Sequence, residues 1–236
     1  VEELAVSANY GYQLVKNAGF IVNDGTSGTV TIGDGIVVDK TLGIHTNAID
    51  ADSRDHIGDA SMDANDSKTV SLIDEVTYTN IDKGTSCKLV GTLIDKATGQ
   101  PIKDSNGKEI TATKSFTPDS DNGTANVEFN GISKEILCGK TTVVYEKLYI
   151  EGKERAKHED INDEGQTVYY PEIRTHAADS ITNDDNGLAV DDTTIIKDSV
   201  SYKSLKQGVK STMSGVLMDK ETGDPLLDEN GNELSS

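Results

Sequence analysis

The chain has 236 residues and a net charge of −19, from 41 acidic side chains against 22 basic ones. That balance excludes a nucleic-acid ligand, which needs clustered Lys and Arg, and disfavours an anionic membrane surface. Its plain reading is the solubility and self-repulsion of an exposed protein.

No apolar run approaches the roughly 20 residues of a membrane span, so direct membrane insertion is not expected. The chain opens at Val1 and not at Met, which fits a removed export signal or a piece of a longer protein. Trp is absent and aromatic residues are sparse, so no aromatic carbohydrate groove is expected.

Residues 1–43 read as a short β segment, the end of a different upstream domain. Thr29-Val30-Thr31-Ile32 alternates as a strand, and Gly33-Asp34-Gly35 marks a hairpin. Lys40 closes an apolar strand, where a Lys–Asn isopeptide bond is conceivable, but no partner Asn is identifiable and a strand-end Lys is ordinarily solvated.

Further strands follow at Val76-Thr77-Tyr78 and Thr142-Val143-Val144-Tyr145. Turn pairs punctuate the chain at Asp24-Gly25, Asp34-Gly35, Asn106-Gly107, Asn122-Gly123 and Asn230-Gly231, residues that tolerate the positive φ of tight turns. No long stretch holds a 3.6-residue period, so the class is all-β.

The chain also repeats itself. Ile44-His45-Thr46-Asn47-Ala48-Ile49-Asp50 returns as Ile173-Arg174-Thr175-His176-Ala177-Ala178-Asp179, an offset of 129. A longer block returns at an offset of 124, in which Asp74, Tyr78, Gly91, Leu93 and Gly99 reappear as Asp198, Tyr202, Gly215, Leu217 and Gly223. The resulting map has residues 44–172 as one complete immunoglobulin-like β-sandwich and 173–236 as the first half of a second, with short joints at Gly43 and Tyr170-Pro171-Glu172. The half-unit needs further sequence or another chain to close its core.

Within 44–172 the residues able to carry chemistry are Thr46, Asp74, Glu146, His158 and Gln166. Val143-Val144-Tyr145-Glu146 followed by His-x-Asp-x-x-Asp-x-x-Gln-Thr-Val, here His158 to Val168, resembles the VaFE repeat of Gram-positive surface-anchored proteins. It is similar to the ester-crosslinked immunoglobulin-like stalk domains of clostridial adhesins. The opening Thr-x-Ala-x-Asp and the block Gly91–Gly99 fit the same repeat, and the likeness does not reach residues 1–43.

The resemblance implies a self-made ester between the Thr46 hydroxyl and the Gln166 carboxamide. It implies His158 as proton shuttle and Asp74 and Glu146 as supporting acids, with Thr175 and Asp198 as the second-copy equivalents of Thr46 and Asp74. It also implies a cell-wall-attached stalk or pilus segment, extracellular, whose partners are neighbouring repeats or subunits and a host ligand at a distal tip. No cofactor is implied, and no enzyme beyond one self-directed turnover.

The residue chemistry agrees. A Thr hydroxyl needs a base to become a nucleophile, and a protonated carboxyl can polarise an otherwise unreactive amide. Two acids in one buried site cannot both ionise readily.

Competing readings remain at this point. A ligand-binding sandwich without a crosslink is the alternative, and a hydrolase is a third reading that no Gly-x-Ser-x-Gly elbow supports. The run Glu159, Asp160, Asp163, Glu164 looks superficially like a calcium loop but lacks EF-hand order. Asp179, Asp184, Asp185, Asp191 and Asp192 read as a solvated loop. His45, His56 and His176 show no metal-ligand spacing with Cys, so no metal is expected. Cys87 and Cys138 are a candidate disulfide that an exported protein would permit.

Overall fold

The computed structural model describes residues 41–61, 68–185 and 195–236. The strand at Thr29–Ile32, the Gly33–Gly35 hairpin, Lys40, Asp191 and Asp192 lie outside them.

The alternating apolar runs fold as two antiparallel sheets. The first has the order β1-β2-β6, from β1 (Gly43–Asp50), β2 (Thr69–Thr79) and β6 (Gly123–Ser133). In the second, β3 (Cys87–Asp95) and β7 (Lys140–Ile150) form the centre. Along the outer side of β3 run β4 (Gln100–Pro101) and β5 (Thr111–Phe116). Along the outer side of β7 run β8 (Lys153–His158) and β9 (Thr167–Tyr170). A single-turn helix α1 (Lys134–Leu137) and a 3₁₀ turn (Glu164–Gln166) complete this unit.

Strict alternation in β2, buried at Val70, Leu72, Asp74, Val76 and Tyr78, turns one face inward. The inward faces of both sheets share one core, in which Leu72, Val76 and Phe129 pack with Leu89, Leu93, Val144 and Leu148. This is the β-sandwich that the sequence pattern predicts.

Three sequence expectations are corrected. Gly43 is not a linker: it lies inside β1 opposite Thr79, whose Oγ1 would sit 2.7 Å from any added Cβ. Gly123 does not supply a positive φ. It starts β6, and the Tyr78 ring and hydroxyl pack where its side chain would stand. Cys87 and Cys138 are free thiols. Cys87 pairs with Ile150 at one end of β7, while Cys138 precedes Lys140 at the other. Eleven strand residues of about 3.4 Å rise separate the two by more than 30 Å, far beyond disulfide reach.

The repeat is visible in the backbone. In the hairpin of β10 (Glu172–Asp179) and β11 (Ile196–Lys203), Thr175 faces Val200 and Ala177 faces Asp198. In the first copy Thr46 faces Val76 and Ala48 faces Asp74. Asp50 Oδ1 accepts from the amides of Asp52 and Ser53, and Asp179 Oδ1 does the same for Ile181 and Thr182. Arg54 and Asn183 then take matching positive φ of 60° and 59°. Residues 206–236 form a separate compact unit of short bridges, Val216 with Ser235, Met218 with Pro225 and Leu227 with Glu233. Among the described residues, every exposed large apolar side chain falls between Ile173 and Leu234. Leu226, for example, is 37 % exposed where its first-copy counterpart Ile102 is 5 %.

Candidate functional site

Register assembles the site from both sheets. Thr46 and Asp74 lie on the inward face of β1 and β2, Thr46 opposite Val76 and Asp74 opposite Ala48 on one side and Val127 on the other. Glu146 sits at the middle of β7, between Gly91 of β3 and His158 of β8. Gln166 ends the 3₁₀ turn that packs against β1 and leads into β9. Thr46, Asp74, Glu146 and Gln166 all have 0 % exposure, and His158 is partly buried at the rim.

Thr46 Oγ1 lies 3.3 Å from His158 Nδ1. The other ring nitrogen, Nε2, lies 2.8 Å from Asp163 Oδ2. A carboxylate oxygen at that position can only accept, so Nε2 carries the proton and Nδ1 offers its lone pair to the Thr46 hydroxyl. The other Asp163 oxygen accepts from the Gly165 amide at 2.7 Å and caps the 3₁₀ turn. Gly165 in turn abuts β1: a Cβ there would stand 3.5 Å from the Thr46 carbonyl oxygen.

Both acids are fully buried, Asp74 on β2 of one sheet and Glu146 on β7 of the other. Burial pushes the Asp74 carboxyl well above the usual carboxylate range. Burial also raises Glu146, and the charge of Asp74 raises it further. Ionised carboxylates offer no donors, and both oxygens of each lack a hydrogen-bond partner. Both shifts run in the direction that favours a proton held between the two acids, which would give them one donor.

The Gln166 carboxamide is equally bare. Its Oε1 and Nε2 have no partner although the residue is fully buried. Six of the seven unpartnered buried side-chain atoms among the described residues belong to Asp74, Glu146 and Gln166; the seventh is the Tyr170 hydroxyl. Each such group costs about 1–3 kcal/mol of unrecovered desolvation, so their concentration marks a site where stability is given up for chemistry.

Sequence reasoning passed over two residues. Asp163 stands there as the second Asp of the His-x-Asp-x-x-Asp-x-x-Gln motif and as one acid in an acidic run, with no role given to it; its place three residues before Gln166 with Gly165 between is the spacing of a turn cap. Gly91 reads only as a repeat position. An added Cβ would lie 2.8 Å from Glu146 Oε2 and 2.7 Å from Phe129 Cζ, so glycine makes room for the acid. Gly91→Ala should therefore displace Glu146 or Phe129 and destabilise the fold by about 1–3 kcal/mol. Intact mass of freshly made protein should also show a reduced crosslinked fraction; a fully crosslinked variant of unchanged melting temperature would refute this.

The remaining sequence candidates have other partners. Glu159 pairs with Lys147 and Lys157, Glu164 with Lys96 and the Tyr169 hydroxyl, and Asp160 accepts from the Asn162 amide. His56 Nδ1 lies 3.1 Å from the Thr167 carbonyl, His176 pairs with Asp185, and the His45 ring centroid stands 6.4 Å from that of His158. Among the described residues no group of three or more His, Cys, Asp or Glu is placed to hold a metal. None of their helices is long and apolar enough to cross a membrane. Thr175 lies in the exposed face of β10 and Asp198 in the exposed part of β11.

The model of the T-Q ester bond containing domain matches residues 42–170 and again 171–236. Among solved structures, a bacterial adhesin from Mobiluncus mulieris containing intramolecular disulfide, isopeptide and ester bond cross-links aligns in one crystal form with a TM-score of 0.44 at 11 % identity, over 69 % of this chain and 77 % of that one. A second crystal form gives 0.43 at 12 % identity, over 69 % and 76 %. A DUF4466 family protein from Parabacteroides merdae aligns with a TM-score of 0.29 at 13 % identity, over 58 % and 48 %. No curated protein matches the chain. Two tandem matches of one family model, together spanning most of the sequence, establish that this chain belongs to the T-Q ester bond containing domain family.

Proposed function

We propose that this chain is a stalk or fibre segment of a surface-attached bacterial adhesin or pilus, and that its complete copy is closed by an ester between Thr46 Oγ1 and the Gln166 side-chain carbonyl carbon. The observation that carries this reading is the unpartnered, fully buried Gln166 amide and acid pair beside a Thr46 hydroxyl that already has its base. Tandem copies suit length better than turnover, which favours the stalk over a ligand-binding module or a hydrolase.

In the reaction, His158 Nδ1 takes the proton of Thr46 Oγ1 as that oxygen attacks the Gln166 carbonyl carbon. The proton shared by Asp74 and Glu146 hydrogen-bonds the carbonyl oxygen as negative charge develops there. His158 then returns its proton to Gln166 Nε2, the C–N bond breaks, and ammonia leaves. Hydroxyl plus amide become ester plus ammonia, with no outside reactant. The folded site holds the partners together, so one slow turnover per molecule suffices. Burial afterwards shields the ester from water.

The stalk would act outside the cell, joined to neighbouring repeats or subunits, with attachment and a host-binding tip supplied by other segments. The test is the intact mass of the full chain with peptide mapping. Loss of one ammonia and a joined Thr46–Gln166 peptide are expected. An unmodified mass from folded protein would leave an ordinary sandwich as the better account.

A further inference from the structure

We propose that residues 53–58, in the connection between β1 and β2, form a strap that seats β9 and so holds Gln166 in place for crosslinking. This inference rests on the ester reading above. β9 has only four residues, and β7 pairs with one side of it. The strap takes the other side as a short parallel pairing, with Ile57 facing Tyr169. The Tyr169 amide donates to the His56 carbonyl at 2.8 Å, and the Gly58 amide donates to the Tyr169 carbonyl at 2.9 Å. His56 Nδ1 lies 3.1 Å from the Thr167 carbonyl oxygen. All three contacts fall on residues that directly follow Gln166 in the chain.

Local side chains shape the strap. Asp55 Oδ1 accepts from the Ile57 amide at 2.7 Å, and the Ser53 hydroxyl donates to the Ile57 carbonyl at 2.9 Å. The backbone groups of Ile57 are thereby used within the strap, and those of its two neighbours are left for β9. Gly58 lets the backbone come close, because the Tyr170 ring and Asp50 Oδ2 occupy the place of a Cβ. The second copy builds the same platform. Its Asp179 amide donates to the Asp184 carbonyl at 3.0 Å, as the Asp50 amide does to the Asp55 carbonyl at 2.8 Å. Thr182 Oγ1 donates to Asp184 Oδ1 at 3.2 Å, as Ser53 Oγ does to Asp55 Oδ1 at 3.0 Å. Gly58 and Ala60 recur in sequence as Gly187 and Ala189, at the same offset of 129. The described residues of that copy include no counterpart of β9, so the platform forms without one.

The consequence is a slot with two walls, β7 and the strap, that takes an extended strand by its main chain. A four-residue strand paired on one side alone would fray, and Gln166 sits at its start. Misplacing a reacting group by about 1 Å can cost about a hundredfold in rate. The strap acts through the backbone of β9 and not on the reacting atoms, so its members are positioning residues.

The experiment uses the full chain, with loss of ammonia timed by intact mass during cell-free synthesis. Ser53→Ala/Asp55→Ala loosens the strap from its exposed side and leaves the core untouched. Ser53→Thr/Asp55→Asn keeps both hydrogen-bonding groups and is the conservative rescue. In parallel, amide exchange is read residue by residue in the Thr46→Val background, which cannot crosslink. The Ala pair should slow crosslinking at least about tenfold and expose the Tyr169 amide to exchange, while the amides of β3 and β7 stay protected. The Thr/Asn pair should match the wild type in both readouts. Gly58→Ala, which drives the strap off the Tyr170 ring, should repeat the effect of the Ala pair. Equal crosslinking rates overturn the proposal, as does slow crosslinking with Tyr169 still protected. Loss of protection throughout the sheets would assign the strap to general stability and overturn it as well. A wild-type chain that never loses ammonia defeats the ester reading itself. A crosslinked wild type with a fast Ala pair defeats only the role of the strap.

Discussion

Thr46→Val should retain the full sequence mass and melt roughly 15–25 °C below the wild-type chain. Valine is nearly isosteric with threonine and apolar, so it preserves the packing of a fully buried position while removing the nucleophile. The lost crosslink spans about 120 residues, and in the chain-entropy model closing a loop of that size contributes about 5 kcal/mol. Thr46→Ser is the matched control. It loses the methyl group but keeps a hydroxyl, so it should crosslink and melt near the wild type. If Val and Ser fall equally, the effect belongs to packing and the bond contributes nothing.

The same substitution has a mechanical signature. Tension on a stalk enters the complete copy at β1 and leaves at β9, the strands that carry the Thr and follow the Gln. With the ester in place, force passes from Thr46 to Gln166 and the intervening strands bear no load. Without it the sheets unzip and release about 120 residues, on the order of 400 Å of extended chain. Single-molecule stretching should show that release in Thr46→Val and a far shorter one in the wild type. A wild-type domain that extends by the full length would argue against the load-bearing role.

How much of this was legible in the chain depends on the range of the interaction. Strand positions were readable because period-2 alternation is local, as in Val70 to Tyr78. The repeat was readable because it is self-similarity, and the matching registers of Thr46–Val76 and Thr175–Val200 follow from it. The face occupied by Gln166 was not readable from alternation, and the structure shows why: it ends a 3₁₀ turn, where period 2 does not apply. Gly91 was opaque for another reason. Its need to be glycine comes from Phe129 and Glu146, neighbours only through tertiary packing. The cysteines required the length of β7 to be known before they could be separated. Asp163 was legible as a motif position but not in its role, because the members of its acidic run serve different partners.

The acid pair should make the uncrosslinked fold lose stability as pH rises. Asp74 and Glu146 both have folded-state affinities for protons raised above the values of an unfolded chain, 3.8 and 4.5. A raised acid contributes stability that is fully present below the unfolded value and lost as pH climbs through the folded one. Between those limits the native state holds a proton that the unfolded chain has released. Stability then falls with rising pH by at most about 1.4 kcal/mol per pH unit for each proton retained. Thr46→Val is the right background, since the covalent bond no longer masks folding. Its unfolding free energy, measured by urea titration from weakly acidic to alkaline pH, should decline steadily. In Thr46→Val/Glu146→Gln the decline should flatten, because one of the two raised acids no longer titrates and retains no proton on folding. The comparison between the two cancels the many surface carboxylates, which are common to both. A Thr46→Val chain whose stability does not fall with pH would mean that both carboxyls are ionised in the core. In that case no proton stands ready to polarise the Gln166 carbonyl, and the proposed chemistry would lack its acid.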